Sequence, residues 1–289
     1  METSVAVQPA DRSGGVGLGS AAMTASVSVR LLGPFGVARD GVAQAPPSRK
    51  VRALLAYLVM APRPVPRSAL CELLWDVPDD PRGELRWSLS KIRKLIDGPV
   101  HACVRADKEF VSIDRAGISV DACEVANTFE AGLAQPGPDI LQRLAGRFAG
   151  DFLEGLTLDR SPVFETWLVS QRHAFRAWHA EVLVRLAAQS PGDPERRLKY
   201  LRQRLDLQRF DEAAHIDLLA ALAHCGRIEE GEAHVAAAGR LFESEGLPRA
   251  PLDRAWARAK RAVSWACATA ITAAVEPAID ARLGASGSE

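Results

Sequence analysis

The hydrophobic period of this chain changes along its length, and these changes constrain the fold more than any other feature. Residues 27–41 alternate between apolar and polar side chains and contain Gly-Pro and Asp-Gly turns, which predicts a small antiparallel hairpin. Helical spacing follows, and residues 100–120 return to alternation, which predicts a second hairpin and an edge strand. Beyond Asp121 the pattern stays helical, with breaks at Pro and Gly turns. The chain therefore begins with an α+β unit and continues as an array of helices.

Three short helices are predicted between the two hairpins. Ser48 can cap the first helix, which ends before Pro62. The second helix covers residues 67–75. The third helix opens with an Asp-Asp-Pro sequence, in which an aspartate caps the helix and Pro81 takes its first position, and it ends near Asp97 before a Gly-Pro pair.

The third helix has two distinct faces when its residues are placed at 100° intervals. Four apolar side chains fall on one stripe: Leu85, Leu89, Ile92 and Ile96. The polar and basic side chains lie at the helix start, on the flank or opposite this stripe: Arg82, Arg86, Trp87, Ser90, Lys91, Arg93 and Lys94. No acidic residue interrupts the outward face, so this helix suits the major groove of DNA, where base edges and phosphates offer acceptors and negative charge. A solvated amphipathic helix is the alternative.

Trp87 has two interpretations. On the exposed basic face, its ring could contact a thymine methyl group or a deoxyribose. Large aromatic side chains are usually mostly buried, so the ring could instead pack beneath the N-terminal hairpin.

Basic residues recur in the elements that flank the third helix: Lys50, Arg52, Arg67, Arg105 and Lys108. Residues 27–115 contain 15 Lys and Arg against 10 Asp and Glu, whereas residues 116–289 contain 20 against 24. The net charge of the chain is zero, but its distribution predicts a positive surface on the first half, which suits contact with phosphates.

The second half repeats a pair of helices. Residues 211–225 and 228–245 are joined at Gly226, and the pair is similar to the tetratricopeptide (TPR) motif. Stacked pairs of this kind form concave surfaces for peptides or helices, which favours a role in binding protein partners. A dimerisation or packing element is the alternative.

No catalytic, cofactor or metal site is apparent in the sequence. The chain has no Walker loop, no G-x-S-x-G and no H-E-x-x-H, and its five cysteines form no C-x-x-C pair. We therefore expect a protein that is not an enzyme and needs no cofactor or metal. The scattered cysteines indicate a reducing cytoplasm, and no apolar segment approaches the ~20 residues of a membrane span.

Six stretches together resemble the Streptomyces antibiotic regulatory protein family. In the first half they are VRLLGPFGVARDG, SRKVRALLAYLVMAPRPVPRSALCELLW and GELRWSLSKIRKLID; in the second they are FLEGLTL, FETWLVSQR and DEAAHIDLLAALAHCGRIEEGEAHVAAAGRLF. The resemblance implies an OmpR-like, α+β winged helix-turn-helix domain at 26–121 and an all-α, TPR-like bacterial transcriptional activator domain at 122–262. A disordered tail at 1–25 and a C-terminal helix and tail at 263–289 complete the predicted organisation.

The resemblance also implies a function. Residues 81–97 would be the recognition helix, residues 105–113 the wing, and Lys50 and Arg52 would approach the DNA backbone. Members of this family bind direct repeats near promoters and recruit RNA polymerase. The expected partners are therefore double-stranded promoter DNA, RNA polymerase and a second protomer on the DNA, in the cytoplasm and at the nucleoid.

The sequence departs from the family pattern at three positions. Pro66 stands where a Ser or Thr often caps the second helix, and Glu84 and Trp87 stand where an amide or a small residue is frequent. These departures concern which bases are read rather than how the helix enters the groove. The alternative function is a TPR-like adaptor whose winged-helix domain no longer binds DNA.

Overall fold

The computed structural model describes four parts of the chain: residues 27–75, 80–98, 101–132 and 136–264. The disordered tail predicted at 1–25 lies outside the described residues, as does nearly all of the predicted C-terminal segment at 263–289.

The first sheet has four strands. Three of them follow one another in the chain as an antiparallel meander, and the fourth comes from the end of the N-terminal unit. Its strands are β1 (Val27–Arg30), β2 (Gly36–Arg39), β3 (Val42–Gln44) and β7 (Ile118–Val120), in the order β3-β2-β1-β7. The predicted Asp-Gly turn joins β2 to β3 with positive φ at both Asp40 and Gly41. As predicted, β7 is an edge strand, and it runs parallel to β1.

Three helices and a second sheet complete the N-terminal unit. They are α1 (Arg49–Met60), α2 (Arg67–Leu74), α3 (Pro81–Ile96), β4 (Val65–Pro66), β5 (Val104–Ala106) and β6 (Phe110–Ile113), with sheet order β4-β6-β5. Ser48 caps α1 by accepting from the N–H of Val51 at 3.2 Å, and Asp80 caps α3 by accepting from the N–H of Gly83 at 2.7 Å. The short strand β4 was not predicted, because two residues ending in Pro66 carry no alternating pattern.

The rest of the described chain is helical. Its helices are α4 (Asp121–Glu130), α5 (Pro138–Ala145), α6 (Pro162–Ala188), α7 (Pro194–Leu207), α8 (Glu212–His224), α9 (Ile228–Ser244) and α10 (250–264). Helices α6 to α9 pack in chain order, each on the next. The predicted turn at Gly226 joins α8 to α9 with a φ of +70°, a conformation that favours glycine. The winged helix followed by a helical array confirms the expected fold class.

The largest hydrophobic core crosses the predicted boundary between the two units. It joins the winged helix to side chains of the array such as Leu141, Phe152 and Phe164, whereas α7 to α10 are held by three smaller clusters. The buried carboxylate of Asp121 accepts from the N–H of Leu31 at 2.8 Å and from the next N–H at 3.1 Å. The two units are thus joined by a shared core rather than by a free linker.

Backbone hydrogen bonds strengthen this junction. The segment 149–154, which precedes α6, pairs with residues 31–34, which follow β1. The N–H of Leu153 donates to the carbonyl of Leu31 at 2.7 Å, and the N–H of Gly33 donates to the carbonyl of Asp151 at 2.9 Å. We call residues 31–34, 149–154 and Asp121 the junction.

Candidate nucleic-acid interface

The predicted apolar stripe of α3 is the face that packs on the protein. Leu85, Leu89, Ile92 and Ile96 are all fully or almost fully buried, and the helix contacts both α1 and α2. This burial fixes the rotation of α3 about its axis, so the opposite face must point away from the core.

The C-terminal end of α3 is tied to both sheets. Arg39 of β2 donates to the carbonyl of Leu95 at 2.9 Å and to the carbonyl of Asp97 at 2.7 Å, which places a cation at the negative end of the helix dipole. The carboxylate of Asp97 accepts from the N–H groups of Cys103 and Val104, both at 2.9 Å. These contacts fix the angle between α3 and the β5–β6 hairpin.

The outward face of α3 is open to solvent. The exposed predicted residues on it are Arg82, Arg86, Trp87, Ser90, Arg93 and Lys94, and Lys91 is half-buried. The side chain of Trp87 is 45% exposed, which rules out packing beneath the N-terminal hairpin. The ammonium of Lys91 lies 5.1 Å from the centre of its ring, so the aromatic group and the cation form one cation–π unit.

Most cations of this face have no ion-pair partner among the described residues. Arg86 lies 3.6 Å from Asp80, but both side chains are about two-thirds exposed, so water and salt screen the pair. Among the described residues, no carboxylate comes within ion-pair distance of Arg82, Arg93 or Lys94. The charge on this face is therefore available to an external anion.

The β5–β6 hairpin, which stands where the wing was predicted, uses one of its two predicted cations internally. Arg105 bonds the carboxylate of Asp114 on the same hairpin. The N–H of Ala116, followed by the charge of Arg105, lowers the pKa of Asp114. Lys108 at the tip is exposed and has no ion-pair partner among the described residues.

Arg67 holds the hairpin tip against the start of α2. Its guanidinium Nε donates to the carbonyl of Asp107 at 2.8 Å, and its backbone N–H donates to the carbonyl of Glu109, also at 2.8 Å. The carboxylate of Asp107 accepts from the N–H groups of Glu109 and Phe110, and these bonds lower the pKa of Asp107. Arg67 is thus a positioning residue for the hairpin tip.

A cleft of about 630 Å³ separates this hairpin from the N-terminal ends of α2 and α3. Arg67, Arg82, Arg86 and Lys108 surround it, and Phe110, which is 41% exposed, lines the hairpin side. Phe110 is not among the residues predicted from the sequence to line this surface. An exposed aromatic directly after the charged turn of the second hairpin was the signal that could have identified it.

A second cleft, of about 430 Å³, lies on the other flank of α3. Lys50, Glu84 and Trp87 line it together with residues 157–159 of the loop before α6. The ammonium of Lys50 lies 5.7 Å from the centre of the Trp75 ring. The array therefore approaches the flank of α3 without covering its outward face.

Arg52, the remaining predicted contact, is half-buried on α1. Its Nε atom is buried and has no hydrogen-bond partner in the described chain. Only part of this side chain is accessible to DNA.

A histidine pair links α8 to α9, and the sequence analysis did not pair these residues. His215 Nδ1 lies 2.9 Å from His234 Nε2, and His215 Nε2 lies 3.0 Å from the carbonyl of Arg209. A carbonyl only accepts, so His215 Nε2 carries a proton and donates to the carbonyl of Arg209. Burial lowers the pKa of His234 to about 4, so this imidazole is neutral at neutral pH, and the contact joins the two helices.

The described residues were also compared with what metal binding and membrane crossing require, and they meet neither requirement. No group of three His, Cys, Asp or Glu side chains within them is placed to hold a metal ion. No helix in these ranges combines the length and the apolar character that crossing a membrane requires.

No protein-family profile matches the chain, and no curated protein sequence matches it. Among solved structures, the chain is similar to EmbR of Mycobacterium tuberculosis in complex with a low affinity phosphopeptide. The two share 20% sequence identity and a TM-score of 0.58, and the alignment covers 86% of this chain and 70% of EmbR. At this identity the similarity concerns the fold, and it agrees with the winged helix and helical array implied by the family resemblance.

Proposed function

We propose that this protein is a sequence-specific DNA-binding transcriptional regulator of the Streptomyces antibiotic regulatory protein type, which activates transcription. The observation that carries the proposal is the outward face of α3, which is exposed, cationic and largely without internal partners. The helix docks in the major groove of promoter DNA, where Arg86 and Lys91 reach acceptors on base edges.

The neighbouring elements supply contacts to the DNA backbone. Lys108 and Phe110 of the wing lie beside the cleft at the start of α3, where a cation can meet a phosphate and a ring can pack on a deoxyribose. Lys50 supplies a cation on the other flank. Arg67 and Arg105 act indirectly, because their guanidinium groups hold the wing itself.

One protomer makes few phosphate contacts, and each adds only about 0.9 to the slope of log affinity against log salt. Useful affinity therefore requires two or more protomers on repeated half-sites. The helical array then faces protein partners, of which RNA polymerase is the one that an activator at a promoter must reach. Action at the nucleoid follows from this function.

The test begins with capture of genomic DNA fragments by the purified chain, followed by gel-shift titration of the strongest fragment. Arg86→Ala or Lys91→Ala should each weaken binding about 5- to 150-fold, the range expected for one lost base contact. Lys199→Ala, an exposed cation on α7, is the matched control and should bind like the unchanged protein.

Two results would contradict the proposal. Unchanged affinity in both α3 variants would remove α3 from the interface. Binding that does not weaken between low and moderate salt would favour the adaptor function, because DNA binding releases counterions and apolar protein contacts do not.

A further inference from the structure

Many basic side chains on the helical array form ion pairs within the chain, whereas Arg197, Lys199 and Arg240 have no ion pair among the described residues. The pairs include Arg176–Asp151, Arg185–Glu181, Arg196–Asp193, Arg202–Glu230, Arg204–Asp211, Arg227–Glu195, Arg249–Asp253 and Lys260–Glu232. Most of these pairs join side chains of different helices or loops, so they help to fix how the array stacks.

Three arginines of α10 are also unpaired, and they share one face of the helix. Arg254, Arg258 and Arg261 are exposed, and in the part of the chain that the structure describes no carboxylate lies within ion-pair distance of any of them. Their spacing of i, i+4 and i+7 places them within about 60° of one another and along about 10 Å of the helix axis. We call these three residues the arginine stripe.

The opposite face of α10 is firmly packed. Leu252 and Trp256 are buried among side chains of α8 and α9. A Cβ atom added at Gly231 of α9 would come within 2.2 Å of the Trp256 ring, so the two helices approach closely at that point. This packing fixes the rotation of α10 and holds the arginine stripe outward.

The composition of α10 leaves the stripe uncompensated. Asp253 is the one acidic residue among 250–264, and it already pairs with Arg249. Three like charges on one helix face repel one another, by a few tenths of a kcal/mol for an i, i+4 pair. An external anion with matching spacing removes that repulsion.

We propose that the arginine stripe is a docking surface for an acidic helical segment of a protein partner, with carboxylates at matching i, i+4 and i+7 positions. A second helix repeats the same intervals of about 6 Å and 4.5 Å, so each carboxylate can meet one guanidinium. Arginine suits this role because its planar group binds a carboxylate through two parallel hydrogen bonds.

A protein partner fits the stripe better than DNA does. The stripe lies on the outward face of α10, whose opposite face packs on α8 and α9 at the other end of the helix stack from the groove-reading helix α3. Stacked helix pairs of this type present surfaces to peptides and helices. The inference therefore stands apart from DNA binding by α3.

The test uses the full chain and two fluorescein-labelled, alanine-rich helical peptides of equal composition. One peptide carries three glutamates on a single face at i, i+4 and i+7, and the other carries them spread around the helix. At low ionic strength, anisotropy titration should give about tenfold tighter binding of the single-face peptide, because three surface ion pairs together contribute about that factor.

Two triple variants identify the surface responsible. Arg254→Gln, Arg258→Gln and Arg261→Gln together should abolish the preference for the single-face peptide. The matched control is Arg160→Gln, Lys199→Gln and Arg240→Gln together, which removes the same charge from exposed, unpaired positions elsewhere on the array and should retain the preference. Circular dichroism checks that both variants are folded.

Three results would overturn the inference. They are equal binding of both peptides by the unchanged chain, equal loss in the two triple variants, and weaker DNA binding by the stripe variant. The last would assign the stripe to DNA. The comparison of the two peptides on the unchanged chain needs no variant, so it tests the inference even where a variant misfolds. If the unchanged chain does not bind DNA, that result contradicts the proposed function and leaves the inference about the stripe intact.

Discussion

On the outward face of α3, Arg82, Arg93 and Lys94 have no carboxylate partner among the described residues, whereas on the array Arg202 and Arg227 each bond to a glutamate of another helix. A cation paired across two helices holds those helices together. An unpaired cation contributes little to the fold, but it leaves a positive field for a ligand. The comparison separates residues that stabilise the protein from residues that bind, and changes in the two regions should have opposite consequences.

The largest effect should come from the most buried ion pairs of the array. Arg204 is almost fully buried and bonds the carboxylates of Asp211 and Asp217. Arg204→Ala should lower the free energy of unfolding by about 3 kcal/mol, because two charge-assisted hydrogen bonds are lost. Urea titration measures this, and an unchanged midpoint would mean that these pairs do not hold α7 to α8. Affinity for DNA in a gel shift should stay the same.

Asp97→Ala should affect both properties, because this residue is structural yet lies at the end of α3. Loss of its carboxylate leaves the N–H groups of Cys103 and Val104 without an acceptor, which should cost about 2 kcal/mol of stability. The angle between α3 and the wing then relaxes, so DNA affinity should fall as well. Asp139→Ala, on the surface of α5, is the control for a lost carboxylate. Unchanged DNA binding by Asp97→Ala would mean that the angle between α3 and the wing does not affect DNA affinity.

The array should also be the pH-sensitive region. Burial lowers the pKa of both His179 and His234 to about 4, below the ordinary value of 6.5. The unfolded chain therefore takes up protons that the folded chain does not, so stability is fully present above pH 6.5 and declines as the pH falls towards 4. Unfolding titrations at a series of pH values should show this decline. The double variant His179→Gln with His234→Gln should lose less stability as the pH falls. An equal loss of stability in that variant would show that other titratable groups cause the decline.

The smallest effect is expected at the wing. Phe110→Ala should weaken DNA binding by about 1 kcal/mol, roughly fivefold, with no loss of stability, because the ring is partly exposed. Val169→Ala removes a comparably exposed apolar group from α6 and should leave affinity unchanged. Equal affinities for the two variants would exclude Phe110 from the interface.

The sequence predicted best what depends on neighbours along the chain. The start of α3 at Pro81 and its buried stripe were correct, because a cap, a helix-starting proline and a 3.6-residue period are all local signals. The contacts of Arg39 with the end of α3 could not be predicted, since they join residues 58 positions apart. For the same reason, the sequence alone could not distinguish Arg67, whose partner Asp107 is 40 positions away, from cations that remain free.

The junction also has a mechanical consequence. Because residues 31–34 and 149–154 are hydrogen-bonded to each other, a force on the array is transmitted to the first sheet and is not taken up by a flexible linker. Under the proposed function, a partner bound to the last helices of the array would therefore change the position of α3 on the DNA. A fragment that ends at Asp121 would lack segment 149–154, which bonds to residues 31–34. The first 121 residues should therefore be less stable alone than within the intact protein.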